Sequence, residues 1–182
     1  MPGRTGADEV GDVQSPTPSE AAASGHSRAD VDARLSPELA SVVAGARRRA
    51  VRDGDREIDT AHLLHSLLET DPQVREAFDG GPQLARLLGY LVQRSIGYGL
   101  QWQGTVEDSG AVPVVTGLGW SPAAAAAMEA ALDRAERRGD PRARGVDLLT
   151  SLAADRECRA VEVLGRAGVD AESLRRHVEA GC

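Results

Sequence analysis

His62 and His65 stand three residues apart, with Asp59 one turn before them and Glu69 one turn after. On a helix, a spacing of three or four sets two ligands on one face, so the first chemistry to weigh is metal binding. Leu63, Leu64, Leu67 and Leu68 interleave with the histidines, which places them at the flanks of a buried stripe and favours a structural or surface role. No metal set is assigned. Nucleophilic catalysis has less support. There is no G-x-S-x-G elbow and no glycine-rich phosphate loop, and Ser95, Ser109 and Ser173 have no histidine and acid at a recognisable spacing. All 21 basic residues are arginine, which removes Schiff-base and phosphate-loop lysines. The expectation is a protein that is not an enzyme, with no catalytic residue and no cofactor. Cys158 and Cys182 lie too far apart to suggest a metal knuckle. Cys158 reads as a small buried residue and Cys182 as a frayed terminus.

Binding is the better prospect. Residues 97–119 hold six glycines together with Tyr98, Trp102 and the apolar run Val112, Pro113, Val114, Val115, and Trp120 follows directly. Long loops of this kind inside a compact domain usually carry function or remain disordered. Two readings stand open. Either the apolar run packs over a seam as a linker, or Trp102, Val114 and Trp120 line a groove for an apolar peptide or cyclic ligand.

The elements that must position these residues come from a duplication. Ser36 to Leu68 lie over Ser121 to Ala153 at an offset of 85 without a gap, with identities at Ser36, Pro37, Ala40, Ala46, Arg49, Ala50, Arg52, Gly54, Asp55, Leu63, Leu64, Ser66 and Leu67. Each copy must then be one supersecondary unit stacked on its twin. Leu35, Leu39, Val42, Val43, Ala46 and Ala50 trace one helical stripe, and Trp120, Ala124, Ala127, Met128, Ala131 and Ala135 repeat it. Both helices open on Ser-Pro, a capping hydroxyl followed by a proline with no N–H to lose, and both close on Gly-Asp. A shorter leucine-rich helix follows, for which Thr60 in one copy and Gly145 in the other are the expected caps. Beyond it the register slips to 86, matching Phe78, Ala85, Leu88 and Val92 with Leu164, Ala171, Leu174 and Val178. The pattern predicts an all-α, eight-helix domain of two four-helix repeats, with helices over 37–53, 60–69, 72–79, 82–96, 122–138, 146–153, 156–166 and 170–180.

Composition sets the boundaries. The first 34 residues have no Leu, Ile or aromatic and carry six acids against three arginines, a segment expected to be disordered. Repeat 1 is then 35–96, the linker 97–119 and repeat 2 120–182. Neither a signal-peptide core nor an apolar run of spanning length is present, so the expectation is a cytoplasmic chain without membrane contact. A net charge of −7 argues against nucleic acid as a partner. The one basic triplet, Arg47, Arg48 and Arg49, reads as a solvated helix face.

These residues resemble a known family. Two four-helix units, each with a capped Arg-containing first helix, and a second helix carrying Ile58, Thr60, His62, Leu63, Leu64, Leu67 and Leu68, are similar to the N-terminal double repeat of Clp/Hsp100 chaperones. Gly119 to Pro122 stands where the ClpC branch has a Pro-Phe-Thr-Pro type start. The likeness covers about Leu35 to Glu179. It carries no ATPase module with it, and looks most like standalone Clp N-domain proteins of actinobacteria. It implies a non-enzymatic module that binds a protein or peptide, such as a Clp chaperone, adaptor or substrate, or a Clp-directed cyclic peptide. Trp120, Ser36, Ser121, Trp102 and Val114 are the expected contacts. The alternative is a regulatory protein docking on the Clp complex through its N-terminal arm. The ClpC branch also reads phosphoarginine with a Glu in each copy's T-E-H triplet. This chain has Ala61 and Val146 there, so weak or absent phosphoarginine binding is expected.

Overall fold

The computed structural model describes residues 28–95, 107 and 119–181. Among them the chain forms nine helices: α1 (Arg28–Ala33), α2 (Pro37–Asp53), α3 (Thr60–Thr70), α4 (Pro72–Glu76), α5 (Gly81–Ser95), α6 (Pro122–Arg138), α7 (Gly145–Ala154), α8 (Arg159–Arg166) and α9 (Ala171–Gly181). The fold is all-α, built of two four-helix units preceded by a short helix. None of these helices is long and apolar enough to cross a membrane.

Local chemistry accounts for the ends of the long helices. Ser36 Oγ accepts from the Leu39 N–H at 3.1 Å and Ser121 Oγ from the Ala124 N–H at 3.2 Å. Gly54 and Gly139 close α2 and α6 at φ 75° and 77°, where a side chain would be strained. The second helices differ from expectation. The cap of α3 is Asp59, not Thr60: its Oδ1 accepts from the His62 N–H at 2.9 Å, and His62 Nδ1 accepts from the Asp59 N–H at 3.1 Å. The cap position of α7 is Arg144, not Gly145, with its N–H donated to Asp147 Oδ2 at 2.8 Å. In both cases a side chain at the third helical position reaches back to the cap, and both Thr60 and Gly145 open their helices.

The segment before α2 also departs from expectation. Residues 28–33 are helical, with Val31 buried at 5 % exposure; one valine in a polar context sufficed because α1 leans on the core. Residues 1–27 lie outside the described residues, as do Trp102, Val114 and Cys182.

The copies interlock. Leu35 pairs with Ala143 and Ile58 with Trp120 as isolated parallel bridges, two contacts related by the same offset of 85. Ser36 N donates to Ala143 O at 2.9 Å, and Ser121 N donates to Ile58 O at 2.8 Å. Thus the strand-like residue before each first helix joins the residue just ahead of the other copy's second helix. The third helices cross over as well, α8 packing on α3 and α4 on α7. Symmetry fails at the fourth. α9 lies along α7, whereas α5 divides its contacts between α3 and α8. Accordingly Leu87 and Leu91 are the buried pair of α5, while Val92 is half exposed and Ala85 exposed; the expected match to Leu174 and Val178 places the wrong face inward. The core runs through both copies from Leu39 and Leu64 to Met128 and Leu149.

One close approach explains a residue that the duplication leaves odd. Gly145 faces Asp71, and a Cβ there would overlap the Asp71 carboxylate, coming within 3.0 Å of its Cγ and 3.2 Å of Leu67 Cδ2. Asp71 has no freedom to yield, since its Oδ1 caps α4 through the Gln73 N–H at 2.9 Å and the Val74 N–H at 3.3 Å. Gly145→Thr, which would make the copies alike at this position, is expected to destabilise the fold by about 1–3 kcal/mol, measured by urea unfolding. An unchanged midpoint would refute the contact.

Candidate binding site at the seam between the repeats

The seam is polar where the duplication diverges. Asp53, Asp59 and His62 in the first copy correspond to Arg138, Arg144 and Asp147 in the second, so acid becomes base at the first two positions and an imidazole becomes a carboxylate at the third. In the second copy Asp147 is bound by Arg138, with its Oδ2 2.9 Å from Nη2. In the first, Asp59 is 2 % exposed, its Oδ2 taking Arg94 Nη2 and, at 2.7 Å, Arg159 Nη1. Burial opposes charge on Asp59, but the hydrogen bond from the His62 N–H and the charge of Arg94 outweigh it and hold the carboxyl well below the usual carboxylate range.

This geometry settles the place of the histidines. His62 turns inward, its Nε2 3.1 Å from Asp55 Oδ2 and 3.0 Å from Arg94 Nη1. Asp55, Asp59 and His62 are the one group of possible metal ligands that converges among the described residues. Arginine charge already answers its carboxylates, because Arg94 reaches both Asp55 and Asp59. His65 stands apart from it. Its Nδ1 lies 3.2 Å from Arg49 Nη1 and its Nε2 3.3 Å from Glu69 Oε1. The basic triplet is therefore not wholly a solvated face, since Arg49 turns in to His65 and Glu69 while Arg48 remains exposed.

Burial and then the Arg49 charge push the His65 imidazole down to about 4. Folded His65 is neutral at pH 5 while the unfolded residue is protonated, so the unfolded chain binds more protons and stability rises with pH. Stability is expected to fall by about 2 kcal/mol between pH 6.5 and 4, and His65→Thr, the residue of the second copy, should flatten that slope in denaturant titrations. An unaltered slope would place the titration elsewhere.

Glu107 is the seam residue that sequence reasoning missed. It is 6 % exposed. Its Oε2 accepts the Thr60 N–H at 2.9 Å and the Ser121 hydroxyl at 3.0 Å, and its Oε1 accepts the Arg159 N–H at 2.7 Å and the Thr60 hydroxyl. Thr60 Oγ1 in turn accepts the Ala160 N–H at 3.0 Å. One carboxylate from the connecting segment thus joins the starts of α3 and α8 to the cap of α6. Nothing in the sequence marks Glu107, because each of its partners lies 14 to 52 residues away.

Beside this polar knot, α6, α7 and the start of α8 enclose a groove of about 310 Å³ lined by Thr60, Ala123, Ala126, Ala127, Leu152 and Cys158. Cys158 is buried, as its sequence position suggested, and burial pushes its thiol up to about 12, an inert group. Of the expected contacts, Ser36 and Ser121 are caps, and Trp120 is 7 % exposed within the core. The bridge to Ile58 draws Trp120 inward, in keeping with its place on the apolar stripe and against its ring being an exposed anchor.

Two solved structures bear the same fold. The N-terminal domain of the caseinolytic protease associated chaperone ClpD from Arabidopsis thaliana superimposes at TM-score 0.56 with 17 % identity, over 81 % of this chain and 94 % of that one. A chain from preliminary structural investigations of a malarial protein secretion system superimposes at TM-score 0.58 with 14 % identity, over 81 % and 94 %. No family model matches the chain. No curated protein matches it either.

Proposed function

We propose that this protein is a non-enzymatic binding module of the Clp type, which takes an apolar segment of a protein or peptide into the groove between α6, α7 and α8. The observation that carries the reading is the alanine-lined groove itself. Small side chains at Ala123, Ala126 and Ala127 leave room for a partner's large ones, and Ser151 and Asp155 at its edge supply polar contacts that fix orientation. Likeness in fold to a domain of a protease-associated chaperone supports a partner within such a system, with this chain delivering to, or competing with, the corresponding domain of a full-length chaperone.

Ala126→Arg tests it. Ala126 is half-buried on the outer side of α6, so arginine can fill the groove while its head stays in water. Capture of a purified Clp chaperone or of an apolar peptide from its substrates, weakened tenfold or more by Ala126→Arg with melting unchanged, is the expected result. Capture indifferent to Ala126→Arg but lost on deleting residues 1–27 would transfer the role to the arm.

Phosphoarginine is a poor ligand for this seam. Ala61 is fully buried and Val146 half-buried, so neither answers a guanidinium. The Ser121 hydroxyl is committed to Glu107, and that carboxylate repels a phosphate. Calorimetry with free phosphoarginine should show no saturable heat up to about 1 mM, a binding energy of about 4 kcal/mol. Tight binding would overturn this expectation.

A further inference from the structure

The two junctions between a second helix and the opposite third helix each hold one carboxylate. At the start of α4 it belongs to Asp71, which caps that helix through its own neighbouring N–H groups and sits against the first residue of α7. At the start of α8 the corresponding cap residue is Cys158, which makes no side-chain cap bond. There the carboxylate arrives from outside. Glu107 accepts the first N–H of α8 from Arg159 at 2.7 Å, the first N–H of α3 from Thr60 at 2.9 Å, the Ser121 hydroxyl at 3.0 Å and the Thr60 hydroxyl. Four donors from three helices therefore converge on a position that no residue of those helices fills. Helix N-termini and hydroxyls aimed at one point favour an oxyanion, and the one bound there is 94 % buried, since Glu107 is 6 % exposed.

We propose that the junction of α3, α6 and α8 is a carboxylate-binding site whose ligand in the free protein is the Glu107 side chain, and that it accepts a carboxylate from another molecule when that side chain is removed. The donors belong to the helical scaffold and persist without Glu107. The ligand recognised is an oxyanion the size of acetate, or the side-chain carboxylate of an acidic peptide. This site is distinct from the apolar groove, although Thr60 borders both.

The experiment is thermal melting of Glu107→Ala and of the unaltered protein in sodium chloride and in sodium acetate at equal ionic strength. The expected result is a saturable rise of about 3 °C or more for Glu107→Ala in acetate and none for the unaltered protein. Adding Ser121→Ala should then raise the acetate concentration for half effect about tenfold. If Glu107→Ala is unfolded in chloride, recovery of its helical circular dichroism in acetate is the supporting result. Absence of any acetate effect, an equal rise in the unaltered protein, or a half effect indifferent to Ser121→Ala would overturn the proposal.

Discussion

Trp120→Ala is expected to cost about 3–5 kcal/mol of stability, the range for deleting a buried large aromatic side chain. The ring is 7 % exposed and belongs to the shared core, and its backbone bridges Ile58 across the seam. A cavity here opens between the copies, where neither copy can close it alone. The indole N–H has no acceptor among the described residues, which adds a sharper test. Trp120→Phe removes no hydrogen bond and should cost only about 1–2 kcal/mol. Urea unfolding of both variants beside peptide binding separates packing from recognition. Full stability in Trp120→Ala, with binding lost, would restore the exposed-anchor reading.

Asp59→Ala should be comparably severe, about 3–5 kcal/mol, because it leaves Arg94 and Arg159 facing each other in a buried seam without their shared carboxylate. It also removes the cap of α3. Asp59→Asn keeps an acceptor for the His62 N–H yet abolishes the charge, so its loss isolates the ionic part. The pH dependence has a definite sign. The folded carboxyl stays ionised to lower pH than the unfolded one, so its stabilisation is complete above about pH 4 and is lost as pH falls below it. Acid unfolding of the unaltered protein should therefore steepen below pH 4, in addition to the His65 contribution between pH 6.5 and 4. Asp59→Asn should retain the His65 part alone. A variant as stable as the parent at pH 7 would dispose of the network.

Much of this was legible from the chain alone. The bounds of α2 and α6 follow from Ser-Pro at one end and Gly-Asp at the other, and both match the structure residue for residue. Hydrogen bonds that end a helix reach only three or four residues, so their partners are adjacent in sequence. For the same reason the cap of α3 was misplaced by one. Asp59 and Thr60 are both competent caps, and the deciding group is His62, which reaches back to the backbone of Asp59.

The candidate site was less legible. Cys158 and the capping serines were read correctly as to place, while Trp120 stood open between the buried stripe and a groove anchor, because its exposure depends on the bridge to Ile58, 62 residues away in the chain. By itself the sequence determined the repeat, the bounds of α2 and α6, the leucine and alanine faces, and the lack of a lysine-based or phosphate-loop chemistry, while the expected helices over 72–79 and 156–166 proved shorter, at Pro72–Glu76 and Arg159–Arg166. Only the tertiary structure decided which copy's helix lies on which, why Gly145 has no side chain, how the seam charges that differ between the copies are paired, and that Glu107 fills the junction of α3, α6 and α8. The division has one physical cause. Caps and apolar stripes are local and repeat with the sequence, whereas the buried charge of Asp59 is tolerated beside arginines that the fold brings in from 35 and 100 residues away.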